Sequence, residues 1–298
     1  MTNAVETDGL TKDYGGHRGI SDLHLEVHEG EAFGFIGPNG AGKTTTLRLL
    51  MDLIRPDRGS ARIMGMDTQH EGVKIRALTG YLPGEAPEYP NHTGGRILDL
   101  LAHLRGGVDP ARVSALARRF DLDLHRKYRT YSHGNRQKVW LIQAFMHDPQ
   151  LLLLDEPTTG LDPLMQQIFR ELVEQARGRG ATVFLSSHVL PEVQEICDRI
   201  AVVHEGTLRQ VGTMEELRIG HIRRVVATVE KDIDRDQLVR VPGVSAVVVS
   251  DHRLECTVSG KMEPLLEALL PANVVTLDSS EMSLEEVFLA QYGQPAQS

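Results

Sequence analysis

A short apolar segment that runs into a glycine-rich turn and then a helix constrains this chain more than any other feature. Glu31 to Gly37 reads as a buried strand. Gly37-Pro38-Asn39-Gly40-Ala41-Gly42-Lys43-Thr44, followed by Thr45, then matches the P-loop pattern. Polyphosphate oxygens must meet several backbone N–H groups at once, and side chains would block that approach. Glycines clear the way and permit the positive φ angles of a tight curve. The helix expected over roughly Lys43 to Ile54 turns its positive end toward the same anion. Lys43 adds a mobile cation for the β- and γ-phosphates, and the Thr44 hydroxyl is a candidate ligand for Mg²⁺. The expected ligands are therefore a nucleoside triphosphate and Mg²⁺.

Such a loop needs a parallel sheet behind it, and the following residues supply strands alternating with helices. Thr7 to Glu29 reads as two strands around a turn at Gly15-Gly16, and Ser60 to Met64 as another strand. From Gly84 to Thr130 the pattern is helical, with leucines at helical spacing in Gly94 to Arg105. Asp109-Pro110 caps a helix over Ala111 to Phe120. Helices are expected at Arg136–His147, Leu164–Arg177 and Leu190–Cys197, and strands at Leu151–Leu154, Thr182–Ser186 and Arg199–His204. Beyond about Arg218 the predicted order is βαββαβ, the ferredoxin-like arrangement, with Ser283 capping a last helix to Gln291. His24 and His28 fall on a strand with no partner pair and read as surface residues.

The strand Leu151 to Leu154 ends in Asp155-Glu156. Continuous apolarity suits a strand buried on both faces, and ligands bind at the C-terminal edge of such sheets. Asp155 would hold Mg²⁺ through water, and Glu156 would orient and deprotonate the attacking water. Alone, two acids at a strand end are more often a solvated edge; the P-loop upstream reverses that reading. A serine, Ser132, precedes the helix expected from Arg136; with the N–H groups opening that helix it reads either as a second phosphate cradle or as an ordinary helix cap.

The chain has 298 residues, a formal net charge of −9, and an apolar share of 41%. The negative balance argues against a nucleic-acid partner, which favours a basic face. Two cysteines, Cys197 and Cys256, make no disulfide framework and suit a reducing compartment. The first ten residues lack the basic and apolar regions of a secretory signal. The apolar stretches at 139–146 and 151–154 are split by His147, Asp148 and Pro149, short of the roughly 18–20 residues a membrane span needs.

These motifs, in this order, resemble those of ATP-binding-cassette (ABC) ATPases, and the resemblance covers roughly Ala4 to Gly212. Tyr131-Ser132-His133-Gly134-Asn135-Arg136-Gln137-Lys138 is similar to the ABC signature, with Ser132 and Gly134 matching and Tyr131, His133 and Asn135 departing. The form looks like a variant of drug-export ATPases, which the tail Ser283 to Phe288 also resembles. The resemblance implies that Gly160-Leu161-Asp162 is the D-loop, His188 the switch histidine that senses the γ-phosphate, and Tyr14 the aromatic that stacks on adenine. After Tyr81-Leu82-Pro83 it expects a glutamine. Gly84 stands there instead, and Glu85, one residue on, is the candidate replacement as metal ligand.

The implied fold is an α/β P-loop ABC core with an antiparallel β subdomain and a helical subdomain at about 84–135. The ATP-binding domain would span 1–217 and a ferredoxin-like accessory domain 218–298. The implied function is ATP-driven export. Two ATPase copies, identical or different, would close on ATP, with separate transmembrane permease subunits, at the inner face of the membrane. An import ATPase with a ligand-sensing C-terminal domain is the alternative. A soluble ABC ATPase of repair or translation is disfavoured by the lack of a long heptad insert and of a second P-loop.

Overall fold

The structure is a computed structural model that describes residues 2–16, 18–217 and 222–281. The helix expected over Ser283 to Gln291, with its tail motif, lies outside the described residues. The chain divides into two compact units, Met1–Val211 and Gly212–Ser298.

The first unit opens with β1 (Asn3–Asp13) and β2 (Gly19–His28), both longer than the pattern suggested. In β2, Ile20, Leu23, Leu25 and Val27 are buried while Asp22, His24 and Glu26 face out, the alternation of a sheet with one covered face. β3 (Ala32–Ile36) leads through the glycine turn into α1 (Lys43–Leu50). This helix stops short of Ile54, and the chain turns at Asp52 with φ +55°. β4 (Arg58–Ile63), β5 (Met66–Asp67), α2 (Gly72–Leu78) and β6 (Thr79–Leu82) follow. α3 (Gly94–Leu104) and α4 (Pro110–Arg119) form the helical stretch, which returns through a 3₁₀ turn (Tyr128–Thr130) to α5 (His133–Phe145). β7 (Leu151–Asp155), α6 (Pro163–Gly178), β8 (Thr182–Ser187), α7 (Leu190–Ile196), β9 (Arg199–His204) and β10 (Thr207–Gly212) complete it.

Two sheets result. One has the order β2-β1-β4-β5, its paired strands antiparallel. The other has the order β10-β9-β3-β8-β7-β6, and β9 through β6 run parallel. β3, β7 and β8 are buried at every position, which is why their centres are apolar without alternation. Because these strands are parallel neighbours, Gly37, Glu156 and His188 follow the same edge of the sheet.

Four elements of this unit escaped the sequence reading: α2, β5, β6 and β10. β6 is four residues long and holds a glycine, too little pattern to register. That glycine has a packing reason, since a Cβ on Gly80 would stand 2.1 Å from the Ala144 carbonyl oxygen of α5.

The second unit begins with α8 (Met214–Leu217). It continues through β11 (Ile222–Val229), α9 (Arg235–Val239), β12 (Val244–Ser250), β13 (Arg253–Ser259), α10 (Glu263–Leu269) and β14 (Val274–Glu281). Its sheet, β12-β13-β11-β14, is antiparallel throughout, which is the ferredoxin-like strand order. Val225, Ala227, Leu254, Cys256 and Val258 pack beneath Leu238, Leu265 and Leu269 as a core of its own.

Candidate active site

The glycine turn is shaped by what surrounds it. A Cβ on Gly37 would stand 2.2 Å from the Val203 carbonyl oxygen. Gly42 has φ +102°, and a Cβ there would meet Ile20 at 2.5 Å. The turn is held by the Gly37 N–H donating to the Ser187 carbonyl (3.3 Å) and the Ala41 N–H to Pro38 (3.1 Å). Gly42 precedes α1 without a capping side chain, so the first N–H groups of the helix have no side-chain acceptor there. Lys43 is 5% exposed, and its Nζ donates to the carbonyls of Gly37 (2.8 Å) and Pro38 (3.2 Å).

The end of β7 brings the carboxylates to this turn. Asp155 is 1% exposed and accepts from Ser186 Oγ through Oδ1 at 2.5 Å, while Oδ2 has no hydrogen-bond partner. Glu156 turns out of the strand in left-handed backbone, φ +48°. Its Oε1 lies 3.5 Å from Lys43 Nζ and 3.1 Å from His188 Nδ1, and Thr159 Oγ1 is 3.5 Å from Oε2. Lys43 and His188, from two distant stretches, and the nearby Thr159 thus converge on one carboxylate.

Two clefts flank it. One of about 420 Å³ is lined by Thr44, Arg48, Gly84, Glu85, His133, Gln137, Asp155, Glu156 and Thr159. Another of about 260 Å³ is lined by Tyr14, Arg18, Gly19, Asn39, Gly40, Gly42, Lys43, Thr44, Thr45 and Glu156. Tyr14 is 53% exposed, with Lys12 Nζ 5.7 Å from its ring centre. Glu85 reaches the larger cleft, but its side chain is 91% exposed and pairs with Arg48 at 3.6 Å. Gly84 lies against the carboxylate of β7: a Cβ there would be 2.6 Å from Asp155 Oδ2. A glutamine could not occupy this backbone position without moving one of them.

Ser132 and Gly134 line neither cleft. The helix behind them starts at His133, not at Arg136, because Ser132 Oγ accepts the Asn135 N–H at 3.2 Å and caps the extra turn. Gly134 packs against Gly160, whose carbonyl oxygen would stand 2.4 Å from a Cβ on Gly134. Tyr131 is a buried anchor, its hydroxyl donating to the Asp123 carbonyl at 2.5 Å.

Two polar residues at the site, Ser186 and Glu192, had no signal in the sequence, and Gln137 stood out only as part of the signature-like run. Gln137 Nε2 donates to the carbonyls of Glu156 (3.3 Å) and Pro157 (3.2 Å). Glu192 accepts from Thr158 Oγ1 at 2.5 Å. Ser186 meets both Asp155 and the Glu156 backbone. Each acts through the neighbouring strand or helix, which local pattern cannot reveal.

The profile of the ABC transporter family matches residues 20–159, which include the P-loop, the start of α5 and Asp155-Glu156. The ABC transporter ATP-binding protein YhcH of Bacillus subtilis (strain 168) is 32% identical over 290 residues, 96% of this chain and 92% of that protein. The daunorubicin resistance ATP-binding protein DrrA3 of Streptomyces coeruleorubidus is 36% identical over 300 residues, 96% of this chain and 95% of that protein. A solved ATP-binding subunit of an ABC transporter superposes with a TM-score of 0.65 at 30% identity, covering 72% of this chain and 92% of that one. With a P-loop, two carboxylates and a histidine gathered at one sheet edge and relatives similar along nearly its whole length, this chain belongs to the ATP-binding, ATP-hydrolysing proteins of the ABC transporter family.

Proposed function

We propose that this chain powers export of a drug-like substrate through separate membrane subunits, closing as a dimer on ATP and opening after hydrolysis. The convergence of Lys43, His188 and Glu156 beside the N-terminus of α1 carries the reading. Lys43 leaves the loop carbonyls for the β- and γ-phosphates, and Glu156 accepts the proton of the attacking water. His188 steadies the Glu156 carboxylate and meets the γ-phosphate. The first N–H groups of α1 receive the phosphate oxygens, and Tyr14 at the rim of the smaller cleft stacks on the base.

Asp155 Oδ2 is buried and unpartnered beside the cleft that Thr44 also lines, which suits a hard cation. Mg²⁺ held by Thr44 and, through water, by Asp155 would neutralise charge on the phosphates. Glu85, pointing to solvent, would join only after rearrangement of its loop.

Ser132 and Gly134 line neither cleft, which supports their serving the ATP of a second copy. The daunorubicin resistance named in DrrA3 supports the export reading over import. Among the described residues no helix is long and apolar enough to cross a membrane. The proposal therefore assigns the pathway to other chains and places this one at the inner membrane face. In this reading residues 1–217 bind ATP and 218–298 form an accessory domain.

The test is Glu156→Gln. Hydrolysis slows by about 10²–10⁴-fold for a lost base. ATP binding survives, and removal of one negative charge near the γ-phosphate favours closure. Size-exclusion chromatography with ATP and Mg²⁺ should show a dimer that Ser132→Arg abolishes. Wild-type hydrolysis by Glu156→Gln would remove Glu156 from the mechanism, and a dimer indifferent to Ser132→Arg would remove the shared site.

A further inference from the structure

Ser186 stands in β8, 0% exposed, directly opposite Asp155 in the parallel ladder. Its hydroxyl has two neighbours of opposite kind. Asp155 Oδ1, at 2.5 Å, is a carboxylate oxygen and can only accept. The Glu156 N–H, at 3.1 Å from the same Oγ, can only donate. The direction of both bonds follows: Ser186 gives its one proton to Asp155 and receives the N–H of Glu156. The same N–H also reaches the Ser186 carbonyl at 3.2 Å.

Two consequences meet at the site. The bond to Oδ1 sets the rotation of the Asp155 carboxyl and leaves Oδ2 as its unpartnered oxygen, on the side of Gly84. The bond from Glu156 pins the peptide at which the chain leaves the strand in left-handed backbone, φ +48°, a conformation that glutamate adopts only when its surroundings impose it. One buried hydroxyl therefore orients both acids.

We infer that Ser186 is a positioning residue for hydrolysis: it aims Asp155 Oδ2 at the metal and presents the Glu156 carboxylate to Lys43 and His188. The inference rests on the roles proposed above for Asp155 and Glu156. Ser186 is buried like every residue of β8, and its hydroxyl, bonded to both acids, is what the geometry uses.

The experiment compares Ser186→Ala, Ser186→Cys and Glu156→Gln, each checked for folding by thermal melting. Ser186→Ala should bind ATP in EDTA as the wild type does. Its kcat should fall and its half-saturating Mg²⁺ rise, each by about 10- to 100-fold, as when the outer partner of a metal ligand is lost. Ser186→Cys, which keeps a weak donor and acceptor, should lie between. A folded Ser186→Ala with kcat and Mg²⁺ dependence within about twofold of the wild type overturns the inference. If Ser186→Ala does not fold, the same two readouts on Ser186→Cys decide it: both shifted supports, both unshifted overturns. Glu156→Gln separates the two levels. Hydrolysis by that variant defeats the reading of the carboxylates, whereas an inactive Glu156→Gln beside a wild-type-like Ser186→Ala defeats only the role of Ser186.

Discussion

Lys43 is almost fully buried, yet its ammonium touches two loop carbonyls and lies 3.5 Å from the Glu156 carboxylate. This arrangement stores a cation beside the glycine turn without leaving it unsatisfied. Lys43→Ala should lower turnover by about 10²–10³-fold or more, the usual effect of losing one charge-stabilising donor. Phosphate release under saturating ATP measures it, and a near-wild-type rate would place the transferring phosphate elsewhere. Gly37 makes a different kind of demand. Its Cβ would stand 2.2 Å from the Val203 carbonyl oxygen, so Gly37→Ala must push β3 and β9 apart. The expected cost is about 1–3 kcal/mol, read from chemical denaturation.

At the scale of elements, the end of α3 is tied to α2, to β6 and to the turn after α5 through Arg105. Its guanidinium donates to the carbonyls of Arg76 (3.1 Å) and Thr79 (3.2 Å) and to His147 Nε2 (2.9 Å). His147 therefore accepts and is neutral. Burial first, and Arg105 second, push its pKa down from 6.5 to about 4. The unfolded chain binds this proton more readily than the folded one, so stability rises with pH. The contribution of His147 is complete above about pH 6.5 and is lost progressively as pH falls toward 4. Other groups titrate in this window, so the informative quantity is a difference. His147→Gln should show a smaller fall in urea midpoint between pH 7 and pH 5 than the wild type, and parallel curves would show that His147 is not the titrating group.

At the scale of the molecule, the cleft-lining and carboxylate residues all lie in the unit Met1–Val211, and the unit Gly212–Ser298 has a hydrophobic core of its own. A chain ending at Leu217 should therefore still bind ATP, while its dimerisation or its regulation changes. Equilibrium binding of a fluorescent ATP analogue checks the first point, and sedimentation with ATP checks the second. A well-folded truncation that binds no nucleotide would contradict the proposed division. Purification of the full chain from membranes should bring down a separate membrane-spanning protein, and its consistent absence would count against the transporter assignment.

Local pattern was enough for elements whose cause is local. The glycines announce the tight turn before α1, Gly15-Gly16 announces the turn between β1 and β2, and Asp109-Pro110 announces α4, where the Asp109 side chain accepts the Ala111 N–H. The βαββαβ order of the second unit was legible because each strand is bounded by turn residues. Other features depend on neighbours that are distant in sequence. β6 exists because β7 pairs with it, and Gly80 is needed only because α5 crosses there. Glu85 was a plausible replacement for a missing glutamine until the loop placed its side chain in solvent and Gly84 against Asp155. Ser186 looked like one more strand residue until parallel pairing set it opposite Asp155. Sequence determined which residues could turn, cap or cradle, because those properties reside in a few consecutive backbone units. The tertiary structure alone decided which oxygen of Asp155 is left open and that Lys43 faces the Glu156 carboxylate, because those depend on strands brought together by burial of their apolar faces.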